Sequence, residues 1–593
     1  LAGVANGAAT VTVSVKNNPA IKAEAKVTVT DVPAETGVVM PLSEFTVANG
    51  DTAEVNAIVS SALKDAKVAW SSSDESIATV TADAKNSTKA VITAGNQTGN
   101  ATVTATVNGK SATVVVRVRP TDYDQFEIDE RTGTLKYYKG NAGYVTVPNN
   151  IKVIGESAFQ ACPMTEVAIP ASVERIEKHA FREASNLTTV KFENADRSKL
   201  TYVGDQAFYN TLKLDTVNLP DSVTKLGTGV FEQSTIRHAR IAGVSEIPDS
   251  TFNQDAQLVD VTIADKVTAI GNNAFASASY LSELKLIGRE GAANGQTVTG
   301  LPSKLRTIGD SAFSGTGFTS IELPKGTTSI GDNAFALVPA TTITLNDGLT
   351  TVGTSPFQGT SITELVVPNS VRNIGANAFS FMSMLQKITF GPAVPAGSLT
   401  AAIISNPSLS QIVVPENAAN YKSVGNVLFT KDGTRLTAFP AGLAVDGASY
   451  TVPDGVETIE PYAFYHARQL TEVKFPESLR SVGDTAFYED NLSTLKLPDA
   501  IETVGNNAFG NNPLSTVDIG GAITLGDQAF SNNSQLADLD LRSDLNRLAT
   551  IGKGAFDQVK QLTKLVFPDS LTSVGNMSFA NMPELQEVHI GAG

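Results

Sequence analysis

One short unit is written sixteen times along this chain: an aliphatic residue, usually Gly, two variable residues, usually Ala, then Phe. No other feature constrains the fold as strongly, because a unit this small cannot bury its own apolar side chains and must stack on copies of itself. The phenylalanines set the register: Phe159, Phe181, Phe208, Phe231, Phe252, Phe275, Phe313, Phe335, Phe357 and Phe379, then Phe464, Phe487, Phe509, Phe530, Phe556 and Phe579. Most intervals are 22 or 23 residues, with one of 38 and one of 85. Five or six residues past most of these Phe comes an aliphatic residue and a short alternating run ending in Pro, as in Leu470 to Pro476 and Leu492 to Pro498. Alternation predicts a strand with one buried face, and Pro ends it because it cannot donate the next ladder hydrogen bond.

Each slot carries a physical reason. Gly follows the aliphatic residue in thirteen of the sixteen units, which predicts a corner with either a positive φ or a close backbone approach. Asp or Asn follows in nine, for example Asp205, Asp310, Asp332, Asp484 and Asn506, where it is expected to cap a short helical or 3₁₀ turn. Ala precedes Phe in twelve, at a position expected to press on the next coil while the Phe rings stack inward. The fold class is therefore mainly β with short helical turns: a solenoid of about eighteen coils running on the order of 85 Å at ~4.8 Å per coil.

The pattern Ile374-Gly375-Ala-Asn-Ala378-Phe379, with Leu470 to Pro476, strongly resembles the BspA-type leucine-rich repeats of bacterial surface antigens. The resemblance covers roughly residues 121–593. Within the long gap, Val427 to Phe429, the turn Lys431 to Thr434 and Leu436 to Pro440 look like the hairpin inserted between repeats in that family, and a similar hairpin from Phe126 to Val147 opens the array. The array stops at His589 to Gly593 without a polar cap, so the natural protein is expected to continue.

Residues 37–119 change to short period-two runs, such as Glu54 to Val59, Ala101 to Val107 and Ser111 to Val118, which read as a β-sandwich. Asn108-Gly109 predicts a type I′ hairpin turn. The stretch Val68 to Val80 followed by Gly99 to Ala105 resembles the group 2 bacterial immunoglobulin-like domain, and residues 1–32 resemble the end of a second copy. The reading is then 1–32 and 37–119 immunoglobulin-like, 120–148 linker and capping hairpin, 149–390 repeats, 391–450 an insert with a hairpin, and 451–593 repeats.

Charge excludes some partners. The net charge of −16 removes the electrostatic drive toward nucleic acid or anionic lipid. One cysteine, Cys162, permits no intrachain disulfide and no multi-cysteine metal site; three residues after Phe159, it reads as an inert core thiol. No run of about 18 apolar residues and no leader is present, so an anchor is expected outside this chain. Gly109-Lys110-Ser111 lacks the rest of a phosphate loop and reads as the hairpin. His179, His238, His466 and His589 fall in different coils without a second metal ligand nearby. The acidic run Asp122, Asp124, Glu127, Asp129 and Glu130 reads as a solvated linker, with a calcium-stiffened hinge as the alternative. No catalytic residue, cofactor or metal is expected.

Binding residues are sought on the exposed side of the repeat strands, from Ala168 and Lys191 to Val566 and His589. This row has no aromatic stripe and no single sign of charge. Its one basic strand, Arg237-His238-Ala239-Arg240, suits an acidic protein or glycan, and Tyr465 and Tyr488 share one slot in adjacent coils, either as a sugar platform or as packing between coils. The resemblance implies a non-enzymatic bacterial cell-surface adhesin that binds host extracellular-matrix or other surface proteins, with the immunoglobulin-like part as a stalk. The alternative is a glycan- or peptide-capture accessory of an outer-membrane nutrient-uptake complex. The sequence leaves the ligand and the oligomeric state open.

Overall fold

A computed structural model describes residues 7–15, 18–29, 37–60, 66–97, 99–119, 125–293, 296–542, 545 and 547–591, and nearly every regular element in them is a strand. The chain divides into Leu1–Ile236 with Arg240–Gly243, and Arg237–Ala239 with Val244–Gly593. No helix among the described residues is long and apolar enough to cross a membrane.

The first unit opens with the antiparallel hairpin Gly7–Val15 and Asn18–Val29. A two-sheet module follows. One sheet runs in the order Glu44–Ala48, Lys110–Arg119, Gly99–Val107, Ala69–Ser72, and the other Thr52–Asn56, Lys89–Ala94, Ala78–Ala82. The alternation seen in sequence becomes a core, with Ile92, Val103, Val114 and Val116 buried between the sheets. Asn108 and Gly109 take φ of 47° and 79°, the two positive values a type I′ turn needs, and join Val107 to Lys110. The edge strand Glu44–Ala48 does not end in water: the Thr46 N–H donates to Glu193 Oε2 of the repeat region at 3.0 Å. Burial pushes the Glu193 carboxyl above its ordinary range.

Each repeat coil has three sides. One is a strand such as Glu166–Ile169, the second a two-residue strand such as Arg175–Ile176, and both pair in parallel with their counterparts in the next coil. The third side is the Gly-x-x-Ala-Phe turn, and here the structure corrects the helical expectation. In all sixteen coils the residues two before and two after Phe have positive φ, for example Ser157 at 56° and Ala161 at 53°, or Asn333 at 53° and Leu337 at 60°. A helix cannot contain such residues, so the segment is a chain of four-residue turns, with Ala158 N–H bonded to Gly155 O and Cys162 N–H to Phe159 O. Alternating left- and right-handed residues aim the free amides one way along the stack. Phe159 N–H donates to Ala180 O, Phe181 to Ala207, Phe275 to Ala312 and Phe313 to Ala334, all within 2.7–2.8 Å. The turns thus form a third ladder in which every donor belongs to one coil and its acceptor to the next.

The Asp or Asn after Gly serves the same joint rather than its own turn. Asp205 Oδ1 accepts the Thr228 N–H, Asp310 that of Asp332, Asp332 that of Thr354, and Asp484 that of Asn506, each one coil onward. This explains the glycine. A Cβ on Gly331 would lie 2.5 Å from Asp310 Oδ1 and 2.6 Å from its amide nitrogen, and one on Gly505 would lie 2.6 Å from the same atoms of Asp484. Close approach, not positive φ, is what the corner demands.

Inside, the Phe rings stack nearly parallel: Phe159 on Phe181 at 5.0 Å and 6°, Phe313 on Phe335 at 5.3 Å and 1°, Phe530 on Phe556 at 5.2 Å and 5°. The hairpins plug into this ladder. Tyr138 N–H donates to Ala158 O and Phe439 N–H to Ala463 O, so Tyr138 and Phe439 fill the Phe slot of coils made by Phe126–Asp129 with Thr134–Tyr138 and by Val427–Thr430 with Arg435–Ala438. Another coil within the long gap lacks Phe: Ala401 and Ser405 supply its two positive φ values, 57° and 53°. Cys162 is buried as expected, and burial pushes its thiol up.

In two of the sixteen coils the residue three past Phe is an asparagine that acts as a staple. Asn512 Nδ2 donates to Phe487 O at 2.7 Å, and Asn533 Nδ2 to Phe509 O at 3.0 Å. Asp490 holds this slot one coil earlier, buried, and burial pushes its carboxyl well above the usual carboxylate range. An ionised Asp490 has no proton to offer a carbonyl.

Two outcomes follow from this anatomy. Gly331→Ala should lower stability by about 1–3 kcal/mol through overpacking against backbone, read as a fall in the urea midpoint. Gly326→Ala, whose new Cβ would meet only Leu305 O at 3.4 Å, should move it little. Asp490→Asn should raise stability at pH 7 by roughly 1–3 kcal/mol, the cost of an unmet buried polar group. Since the folded pKa is raised, the wild-type penalty is absent below the ordinary carboxylate pKa of about 3.9 and grows as the unfolded chain ionises above it. The gain should therefore vanish when the same melts are run near pH 3.5.

Candidate binding site

The strand face yields less than its sequence promises. Ala168 and Val566 are buried; in register the first lies between Thr146 and Lys191 and the second between Asp540 and His589. In the basic strand, His238 Nδ1 lies 2.7 Å from Asp260 Oδ2, which also takes Lys285 Nζ at 3.2 Å. Arg240 belongs to the first unit and grips Asp221 with both guanidinium nitrogens, Nη2 to Oδ2 at 3.0 Å. That hydrogen bond holds the Arg240 pKa above its ordinary value. The carboxylates of neighbouring coils offset the local positive charge; Arg237 lies in the second unit, beside His238.

Tyr465 and Tyr488 do come together, ring centroids 6.0 Å apart and 7° from parallel. His466 covers Tyr465 at 3.9 Å, and Tyr488 lies over Gly510, where an added Cβ would touch its ring at 3.2 Å. Both rings are half-buried, their faces turned to each other and to neighbours, and burial raises the Tyr465 hydroxyl pKa. Glu489 closes the cluster, 3.2 Å from His466 Nε2 and 2.9 Å from Arg468 Nη2. Burial and Arg468 lower the His466 pKa against the opposing pull of Glu489.

The remaining histidines stay apart: His179 meets Gln206 at 3.1 Å and His589 meets Glu587. No three His, Cys, Asp or Glu side chains among the described residues are placed to hold a metal ion. Of the acidic run, Asp122 and Asp124 lie outside the described residues; Glu127 pairs with Lys139 at 3.2 Å and Asp129 accepts the Arg131 N–H at 3.1 Å.

A different surface stands out. Leu337 and Phe381 occupy the positive-φ slot two residues past Phe, with side chains exposed by 64% and 41%, and Met384 beside Phe381 is 48% exposed. Most other coils put Asn, Gln, Glu, Ser or Gly there, residues that tolerate the slot or suit water, and two use Ala161 and His466. Gly359 sits in the same slot between them; a Cβ there would strike Leu337 Cδ2 at 2.8 Å, so the two apolar side chains flank a notch. The turn segments that carry these slots, residues 333–342, 354–363 and 375–386, contain no charged side chain. Reading this one slot down all sixteen coils would have exposed the ridge in sequence; reading the strand face did not.

Five stretches spanning residues 137–289, 302–432 and 447–593 match the BspA type leucine rich repeat region, and residues 33–118 match the bacterial Ig-like domain of group 2. The chain belongs to the BspA-type leucine-rich-repeat proteins. Solved structures similar to this BspA-type chain include a leucine-rich repeat protein from Bacteroides ovatus, 19% identical, covering 75% of this chain and 94% of its own, with a TM-score of 0.39. A leucine rich cell surface protein from Faecalibacterium prausnitzii is 20% identical over 79% and 93%, with a TM-score of 0.25. The pneumococcal vaccine antigen PcpA is 17% identical over 84% and 87%, also at 0.25. Among curated proteins none matches.

A large side chain with positive φ costs of the order of 1–2 kcal/mol, so the ridge is not there for stability. Leu337→Asn and Phe381→Asn should leave the thermal midpoint at or above wild type in scanning calorimetry. A fall of several degrees would make these residues packing elements instead.

Proposed function

We propose that this chain is a non-enzymatic bacterial cell-surface protein whose solenoid binds other proteins, with the immunoglobulin-like module as its stalk. The observation that carries the reading is the ridge at Leu337, Gly359 and Phe381: exposed apolar side chains, held at a backbone cost, on turn segments whose sequence carries no charge. Charge depletion with exposed Phe, Leu and Met marks the centre of protein interfaces. Membership of a surface-antigen repeat family and the group 2 immunoglobulin-like module support the position on the cell surface. The closed stacking of Tyr465 on Tyr488 gives a sugar no open ring face there, which disfavours glycan capture. Matrix proteins are the partner class this reading favours.

The test is a binding screen of the full chain at physiological salt against extracellular-matrix proteins, fibronectin and fibrinogen among them, and against host and dietary glycans. Saturable binding to a protein, reduced at least tenfold by Leu337→Asp or Phe381→Asp with the fold intact by circular dichroism, is the expected result. Glycan binding without any protein hit would overturn the reading.

A further inference from the structure

The 38-residue interval between Phe275 and Phe313 changes one side of the stack only. On the inner side nothing is disturbed: Ala269–Ile270 pairs in parallel with Thr307–Ile308, and the Phe275 and Phe313 rings stack at 5.3 Å. On the strand face, Leu284–Ile287 pairs not with the next coil's strand but with Val298–Thr299, antiparallel. Asp265 fixes the intruder. Its nearly buried carboxylate accepts Arg289 Nε at 3.0 Å, Arg289 Nη2 at 2.9 Å and the Ser303 N–H at 2.8 Å, while Arg289 Nη2 also donates to Leu301 O at 2.7 Å.

The register says which backbone groups are left over. Gly300 N–H bonds to Leu284 O at 3.1 Å, so Val298 and Gly300 face Leu284–Ile287 and the N–H and C=O of Thr299 face the other way. The next strand, Ser320–Glu322, pairs on its far side with Thr342–Thr344, with Thr341 N–H to Thr319 O and Leu323 N–H to Thr344 O. In a parallel ladder this leaves the N–H and C=O of Ser320 and Glu322 pointing back toward Thr299. Neither N–H has a main-chain partner among the described residues. Thr299, Ser320 and Glu322 all line one groove of 760 Å³, over the buried side chains of Leu301, Phe318 and Leu323. A second, 500 Å³ groove lies along Glu472–Lys474, Thr494–Lys496 and Thr516–Asp518, but there no strand is inserted, and the Ser493 N–H still ties its coil to Thr471 O at 3.0 Å.

We propose that the groove between Val298–Thr299 and Ser320–Glu322 binds an extended, weakly basic peptide segment of a partner protein by strand addition. Two strand edges with unspent donors and acceptors face a single slot, and a strand laid in it can bond to both, as peptides do at exposed sheet edges. Charge sets the sign. The groove carries Glu283, Glu290 and Glu322 against Lys304 and Lys325, since Arg289 is already held by Asp265. Alternate side chains of the guest would point to the apolar floor. The inference rests on the reading of the chain as a protein-binding surface, and adds a second site, distinct from the ridge, that reads main chain.

The test pans a random linear heptapeptide phage library on the full chain, then measures selected peptides by fluorescence polarisation. Selected sequences should carry alternating apolar residues and net positive charge and bind at micromolar Kd. N-methylation of alternate peptide amides should weaken binding at least tenfold. So should Thr299→Pro and Ser320→Pro, which each remove a groove-facing donor from an edge where proline is tolerated. Failure to select any peptide, or peptides indifferent both to N-methylation and to these prolines in variants with unchanged melting, would overturn the groove. Selected peptides whose binding survives both prolines, alongside matrix-protein binding that falls with Phe381→Asp, would refute the groove while leaving the wider reading intact.

Discussion

Everything in the repeat region depends on how closely one coil can approach the next at the glycine corner. At Gly331 and Gly505 the neighbouring coil's Asp amide and carboxylate stand where a Cβ would be. That contact lets the Asp oxygen receive an amide one coil onward, and sets the turns at a distance where their N–H groups reach the following carbonyls. The Phe stack and the short parallel strands then fall into register at the same spacing. Within each unit these three ladders share one pitch and enclose the apolar core of the repeats.

The turn ladder has a polarity that the strands do not impose. Alternating backbone handedness sends N–H groups toward the carboxyl-terminal neighbour and C=O groups toward the amino-terminal one, coil after coil. Positive φ is therefore a structural requirement at two positions per coil, and the chain usually meets it with Asn, Gln, Ser or Gly. Where it uses Leu337, Phe381, Tyr462 or Met577 instead, the requirement is met at a cost and the side chains face solvent; of these, Leu337 and Phe381 share one slot two coils apart. A fold with such rigid demands makes exceptions informative, which is why the ridge and the wedged insert, rather than the strand face as a whole, carry the functional argument.

Much of this was legible in the sequence and some was not, for one physical reason. The Phe ladder, the strand parity, the hairpins at Phe126 and Val427 and the Asn108-Gly109 turn are local or periodic, and a single chain displays them. The turn was misread because Asp, two residues, Ala and Phe is also how a capped helical turn looks; that Asp310 serves Asp332, a full coil away, depends on a neighbour no local window contains. The ion-pair partners of the basic strand were hidden from the sequence for the same reason. Arg240 and His238 look unpaired until Asp221 and Asp260 arrive from adjacent coils. Tyr465 and Tyr488 were rightly placed side by side by their shared slot, yet only the packing of His466 and Gly510 decides that their faces are closed.

The central claim is that the turns join the coils as firmly as the strands do. Amide hydrogen exchange resolved to single residues tests it directly. The account predicts that the amides of Phe159, Phe313, Phe335 and Phe487 are as protected as strand amides such as those of Ile321 and Leu365. Phe amides that exchange at the rate of surface loops while those strands stay protected would contradict it.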